Sequence, residues 1–234
     1  MNTPHFEIAG TYLRSELRDS RAPWSEKVAP PFITISREAG SGGASFARIL
    51  VRKLNGLEPG GTPWRVVDGD VTAKMLRANQ LPVRLARFLP EQHVSELSAS
   101  IGELVGLHPN LWQLVEKTNA TIRQLATTGN IVLVGRGANL ATAGLPNGTH
   151  VRLVAPPEHR ARYLAGLYNI SEAEANAHNA RCDAARRSYV RGAFSADDTD
   201  PKAYHFIFNT AQVPLPRAAD LVCAHLSADD ARAM

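Results

Sequence analysis

Five short, largely apolar runs punctuate the chain: Phe32–Ser36, Arg65–Asp68, Ile131–Gly135, His150–Ala155 and His205–Asn209. Each has the length of a strand and is separated from the next by stretches with helical spacing. Runs that are apolar throughout, without in/out alternation, mark strands buried on both faces. The pattern therefore predicts an α/β fold with a doubly wound, five-stranded parallel sheet covered by helices on both sides. The first run passes through a glycine-dense turn directly into the helical pattern Phe46-Ala47-Arg48-Ile49-Leu50.

The segments between the runs differ in kind. Residues 1–31 read as an N-terminal extension: Ile8, Tyr12, Leu13 and Leu17 suit one short amphipathic helix, which Pro23, Pro30 and Pro31 bring to an end. Residues 32–234 read as one domain. Between its second and third strands, residues 71–128 carry helical pattern only, divided by Pro82, Pro90 and Pro109. A crossover of that length exceeds one covering helix and predicts a helical insert beside the carboxyl edge of the sheet, where open α/β folds bind ligands. A second helical stretch, 157–192, lies between strands four and five, and Ser171 and Glu174 are spaced as a capping box at the start of its main helix.

Composition narrows the function classes. At 234 residues the chain is long enough for one large domain with a substantial core. No run approaches the roughly 18 apolar residues of a membrane span, and residues 1–10 lack the pattern of a secretory leader, so the expected location is the cytoplasm, away from membranes. Cys182 and Cys223 are far apart and suit a reduced protein without a disulfide. A net charge of +4, without a dense basic stripe, argues for small anionic ligands over nucleic acid. The basic residues are mostly arginine, the side chain suited to bidentate phosphate contacts. Neither zinc-ligand spacing nor a nucleophile elbow is present.

Four features carry candidate chemistry. The turn Arg37-Glu38-Ala39-Gly40-Ser41-Gly42-Gly43-Ala44-Ser45 has the strand–loop–helix setting in which backbone amides and a helix N-terminus cradle phosphate. Gly40, Gly42 and Gly43 equally suit a plain tight turn. A standard Walker loop has lysine where Gly43 stands and glycine where Arg37 stands, and Ser41 and Ser45 offer hydroxyls to phosphate or Mg²⁺. Arg136 is the first charge past the third strand, placed to hold a phosphate or to pair with a surface carboxylate. Asp68 and Asp70 close the second strand, where a carboxylate can bind Mg²⁺, take a proton, hold a ribose hydroxyl or cap a helix. Arg160, Arg162, Arg181, Arg186, Arg187 and Arg191 crowd the second insert. They form either a solvated face, with Asp183 paired to Arg186 or Arg187, or an arginine lid of the kind worth about 10³–10⁵ in rate. The cluster Asp197-Asp198-Thr199-Asp200-Pro201 reads as a polar turn.

In this order the pieces resemble the cytidylate kinase-like family of P-loop nucleotide kinases. The carriers are I-T-I-S-R-E-A-G-S-G-G at 33–43, Asp68, G-R-G-A-N at 135–139, H-V-R-L-V-A-P at 150–156 and F-N-T at 208–210. The S-R-E-x-G-S-G-G form is typical of this family's variant loop. The resemblance implies a nucleoside monophosphate kinase fold with an acceptor-binding insert at 71–128 and an arginine lid at 157–192. It implies ATP as donor, Mg²⁺ as cofactor, and CMP or dCMP as the default acceptor. Loop residues Gly40 to Ser45 would bind the donor phosphates, with Ser45 on the metal. Arg37, Arg181 and Arg187 would stabilise the transferring group, Arg37 supplying the charge of the missing lysine, and Asp68 and Arg136 would orient the acceptor. Where better-known relatives read G-R-D, this chain reads Gly135-Arg136-Gly137. The expected partners are nucleotides, with the protein a monomer or homodimer. The alternatives are a kinase for another small molecule and a nucleotide-binding sensor without turnover.

Overall fold

The computed structural model describes residues 30–68 and 109–233. The N-terminal extension up to residue 29, Asp70 and the part of the expected helical insert from residue 71 to residue 108 lie outside the described residues. Strands β1 (Phe32–Arg37), β2 (Arg65–Val67), β3 (Ile131–Val134), β4 (Gly148–Val154) and β5 (Phe206–Asn209) form one sheet in the order β2-β3-β1-β4-β5. All neighbouring pairs are parallel. The described helices are α1 (Gly43–Leu57), α2 (Pro109–Thr128), α3 (Ala138–Ala141), α4 (Pro157–Tyr168), α5 (Glu172–Phe194) and α6 (Leu215–Ala233), with a 3₁₀ turn at Pro201–Ala203.

Side-chain alternation along the central strands decides which helix covers which face. Ile33 and Ile35 of β1 and Val132 and Val134 of β3 point to one face, where Phe46, Ala47 and Leu50 of α1 and Ala218, Ala219 and Val222 of α6 pack on them. Phe32 of β1 and Ile131 and Leu133 of β3 point to the other and meet Ala126 of α2 and Ala138 of α3. Both faces are apolar, which is why these strands read as unbroken hydrophobic runs.

Helices α4 and α5 form a hairpin. It begins with Pro157 at the first position of α4 and turns at Asn169, in left-handed conformation. Ser171 then starts α5: its hydroxyl accepts from Glu174 N, and the Glu174 carboxylate accepts from Ser171 N. The capping box legible in the sequence is thus formed. Both cysteines are buried and neither is in a disulfide, and among the described residues no helix is long and apolar enough to cross a membrane.

Candidate active site

β1 ends on Ser36 and Arg37, and residues 38–42 turn the chain into α1. Gly40 and Gly42 take left-handed φ values of +76° and +88°, which a side chain resists. A Cβ on Gly40 would lie 2.6 Å from the Arg160 carbonyl oxygen and 2.8 Å from Asn179 Nδ2, so only glycine fits. Phe46 N donates to Gly42 O at 2.8 Å, leaving the amides of Gly43, Ala44 and Ser45 at the open first turn of α1. These amides and the helix dipole suit an anion. Ser41 is buried with its hydroxyl turned inward, donating to Glu38 O at 2.8 Å, so it braces the loop.

Gly43 and Arg37 share one volume. A Cβ at position 43 would stand 2.9 Å from Arg37 Cγ and 3.2 Å from its Cδ. The aliphatic stem of Arg37 thus runs through the space a lysine at 43 would need. Strand alternation puts the Arg37 side chain on the Ile33 and Ile35 face, over Gly43, and the residue also borders a small open cleft beyond the carboxyl edge of β1, β3 and β4.

That cleft is built around four arginines: Arg37, Arg136, Arg152 and Arg186. Arg136 follows β3, half-buried, with its guanidinium 5.0 Å from the centroid of the Tyr189 ring. Burial raises the Tyr189 pKa, and the charge of Arg136 works against that rise. Arg152 projects from β4, paired in register with Ser36 of β1, and is only 5% exposed. Its Nη1 lies 3.3 Å from Asp198 Oδ2 and 3.4 Å from the Tyr204 hydroxyl. Arg186 of α5 donates from Nη1 to the Arg37 carbonyl oxygen at 3.2 Å.

The helical hairpin is bolted to the start of the loop through a second ionic group. Asp183 of α5 accepts from Ala39 N at 2.7 Å through Oδ1 and meets Arg160 Nη1 at 2.5 Å through Oδ2. Arg160 of α4 also donates to the Ala39 and Ala155 carbonyl oxygens, both at 3.0 Å. Glu38 accepts from Ala155 N at 3.0 Å and lies 3.5 Å from Arg160 Nε. These hydrogen bonds offset the cost of burying the charges and fix where the loop leaves the sheet.

The remaining candidates fall elsewhere. Ser45 stands at the start of α1, its hydroxyl accepting from the Tyr163 hydroxyl at 2.8 Å and from Arg48 Nη2 at 3.2 Å. Asp68 is exposed at the end of β2 and is not among the cleft residues. Arg181 and Arg187 are exposed on α5 and also stand outside the cleft lining. Among the described residues no group of three or more His, Cys, Asp or Glu side chains could hold a metal ion.

A glycine-rich loop at the head of α1, beside an arginine-lined cleft on a parallel sheet, is the arrangement expected of a P-loop kinase. The model of the cytidylate kinase-like family matches residues 32–212, most of the chain. The chain belongs to the cytidylate kinase-like family. Among solved structures it is similar to an uncharacterized protein from Eubacterium ventriosum, with a TM-score of 0.62 and 17% identity over 85% of this chain and 98% of that one. A shikimate kinase from Bacteroides thetaiotaomicron aligns with a TM-score of 0.47 and 14% identity over 84% and 98% of the two chains. A gluconokinase from Sinorhizobium meliloti gives 0.44 and 14% over 87% and 97%. No protein of curated function matches the chain.

Membership in this kinase-like family makes phosphoryl transfer the general chemistry of the chain, and its departure at Gly137 has a local reason. Gly137 caps α3 with a left-handed φ of +66°, and a Cβ there would run into the ring of Phe194, at the end of α5. The aromatic ring thus occupies the space in which the aspartate of G-R-D would begin. The structure also brings in Arg152 and Tyr204, which the sequence reading did not single out, Asp198, which it took as a turn residue, and Arg160, Asp183 and Arg186, which it named only within the arginine-rich insert. Arg186 and Asp183 were readable from phase, because Ala175, Asn179, Cys182, Asp183, Arg186, Tyr189 and Val190 form the buried stripe of α5. Arg152 had one signal, a charge in the middle of an apolar strand.

Proposed function

We propose that the protein transfers the terminal phosphoryl group of ATP to a nucleoside monophosphate, with CMP or dCMP as acceptor. The observation that carries this reading is the position of Arg37 at the end of β1, where its stem crosses Gly43 in the donor loop. A cation at the donor loop would stabilise the charge that develops as an acceptor phosphate oxygen attacks the terminal phosphorus and ADP leaves.

The residues present fit the donor phosphates. The two left-handed glycines shape a concave loop, and three first-turn amides of α1 face its mouth. Ser45 would hold Mg²⁺, provided that its contacts with Tyr163 and Arg48 give way. When bound, Mg²⁺ neutralises phosphate charge and orients the chain of phosphates. Arg136, steadied on the Tyr189 ring, orients the acceptor phosphate from the far side of the cleft. Arg186 and Asp183 keep the loop and the helical hairpin in register, so the reaction depends mainly on positioning and charge. The exposed Arg181 and Arg187 would reach a phosphoryl group only if the hairpin moved.

The test is ADP release from Mg-ATP by the purified protein, with and without CMP, dCMP, UMP and AMP. Acceptor-dependent release that disappears in Arg136→Ala supports a nucleotide kinase. No acceptor-dependent release with any of the four overturns this reading.

A further inference from the structure

Helices α4 and α1 meet beside the donor loop at a neutral hydrogen bond: the Tyr163 hydroxyl donates to Ser45 Oγ at 2.8 Å. Arg48, one turn along α1, donates to the same oxygen from Nη2 at 3.2 Å. A hydroxyl oxygen accepts two hydrogen bonds, so both of its acceptor positions are taken. Yet this is the oxygen that the head of α1 has to offer. A standard Walker loop carries its metal-binding hydroxyl directly after the lysine, and Ala44 stands there. Ser41, the other hydroxyl of the loop, is buried and donates to Glu38 O at 2.8 Å. One residue further around a helix is a turn of about 100°, which carries the half-buried Ser45 away from the exposed Ala44 and toward Tyr163.

The two ties that α4 makes to this region differ in kind. Arg160 donates to the Ala39 and Ala155 carbonyl oxygens, both at 3.0 Å, and pairs with Asp183 of α5. This group is charged and largely buried, and removing one partner would strand a charge. Tyr163 lies three residues on, along the same side of α4, and holds Ser45 through a neutral contact that is only part-buried. Such a bond exchanges with water at small cost. Ala161 and Leu164 pack on Ala175 and keep α4 seated on α5. Rotation of the Tyr163 side chain therefore frees Ser45 while Arg160 keeps the hairpin in place.

We propose that Tyr163 sets the metal dependence of donor binding: in the empty protein its hydroxyl occupies the Ser45 oxygen, and it yields that oxygen when the Mg²⁺-nucleotide binds. Tyr163 is thus a positioning residue that acts through Ser45. A nucleotide without the metal makes no claim on Ser45 Oγ and leaves the tyrosine where it is. Removing the tyrosine hydroxyl then helps the metal-bound ligand alone. This inference rests on the reading of Gly40 to Ser45 as the donor loop. It concerns the donor only, so its test omits the acceptor.

The experiment is calorimetric titration of ADP and the non-hydrolysable analogue AMP-PNP, each with Mg²⁺ and with EDTA. The proteins are the native chain, Tyr163→Phe, Ser45→Ala and the double variant, with thermal unfolding as the check that each is folded. Tyr163→Phe keeps the ring and should bind the Mg²⁺ forms about three- to tenfold more tightly, as expected for one neutral hydrogen bond, and the metal-free forms within about twofold of native. Ser45→Ala should lose most of the affinity that Mg²⁺ adds. Tyr163→Phe placed on Ser45→Ala should change either form less than about twofold, because the two residues act as one unit. Equal tightening with and without Mg²⁺ would mean that the tyrosine restrains the hairpin and not Ser45, and overturns the proposal. Unchanged or weaker Mg²⁺-nucleotide binding in Tyr163→Phe overturns it, as does tightening that persists in full on Ser45→Ala. A native protein that binds neither nucleotide overturns it together with the donor-loop reading. The expected binding pattern without acceptor-dependent ADP release supports it and overturns only the nucleotide kinase.

Discussion

The side chain of Arg37 fills the space above Gly43: a Cβ at position 43 would sit 2.9 Å from Arg37 Cγ. The two positions have exchanged roles relative to a standard Walker loop, which has glycine at the start and lysine at the end. The exchange relocates a cation without removing it. Lysine would reach the donor phosphates from the helix, whereas in our proposal Arg37 would reach them from the end of β1.

The Gly137 departure should resist repair. Gly137→Asp places a side chain against the Phe194 ring and forces a non-glycine residue into φ +66°. A loss of about 1–3 kcal/mol is expected, visible as a lower denaturation midpoint. Pairing Gly137→Asp with Phe194→Ala removes the clash but leaves the backbone strain, so the double variant should recover only part of what the truncation of Phe194 allows.

Asp183 joins Ala39 N, Arg160 and Arg186. Asp183→Ala leaves Arg160 without its closest carboxylate and the loop amide without its acceptor. The expected cost is about 3 kcal/mol in chemical unfolding. ATP should also protect the variant less against heat than it protects the native protein. Full retention of both properties would show that the hairpin is not what holds the loop.

Stability should depend on pH through His150. Burial first, and the neighbouring His205 second, lower its pKa from 6.5 to about 4. Thr34 Oγ1 lies 2.9 Å from its Nδ1, and the His205 and His225 rings are 6.3 Å apart beside it. The folded form stays neutral where the unfolded form takes up a proton. The stability from His150 is therefore complete above pH 6.5 and is lost as pH falls toward 4, by roughly 2 kcal/mol after allowance for solvent screening. Denaturation midpoints measured across that window should flatten in His150→Gln.

The sheet was legible because its central strands are buried on both faces. Ile33, Ile35, Val132 and Val134 face one layer of helices and Phe32, Ile131 and Leu133 the other, so each strand reads as an uninterrupted apolar run. The loop was legible because Gly40 and Gly42 are needed for backbone conformation. The arginines were harder. Counting charges on α5 singled out Arg181 and Arg187, yet helical phase turns both outward and turns Arg186 onto the loop. Arg152 lies hidden inside the β4 run, and Asp198 looked like one more turn residue. Its closeness to Arg152 arises only when β4 and the segment before β5 come together, a contact between residues 46 positions apart.

The most direct measurement is acceptor-dependent ADP release by Arg37→Ala and by the double variant Arg37→Ala/Gly43→Lys. Removing the cation should lower kcat by about 10²–10³-fold. Clearing the stem of Arg37 opens room for a lysine at 43, so the double variant should regain part of that loss, while Gly43→Lys alone clashes with Arg37 and should not. Turnover unchanged in Arg37→Ala would contradict the role assigned to Arg37.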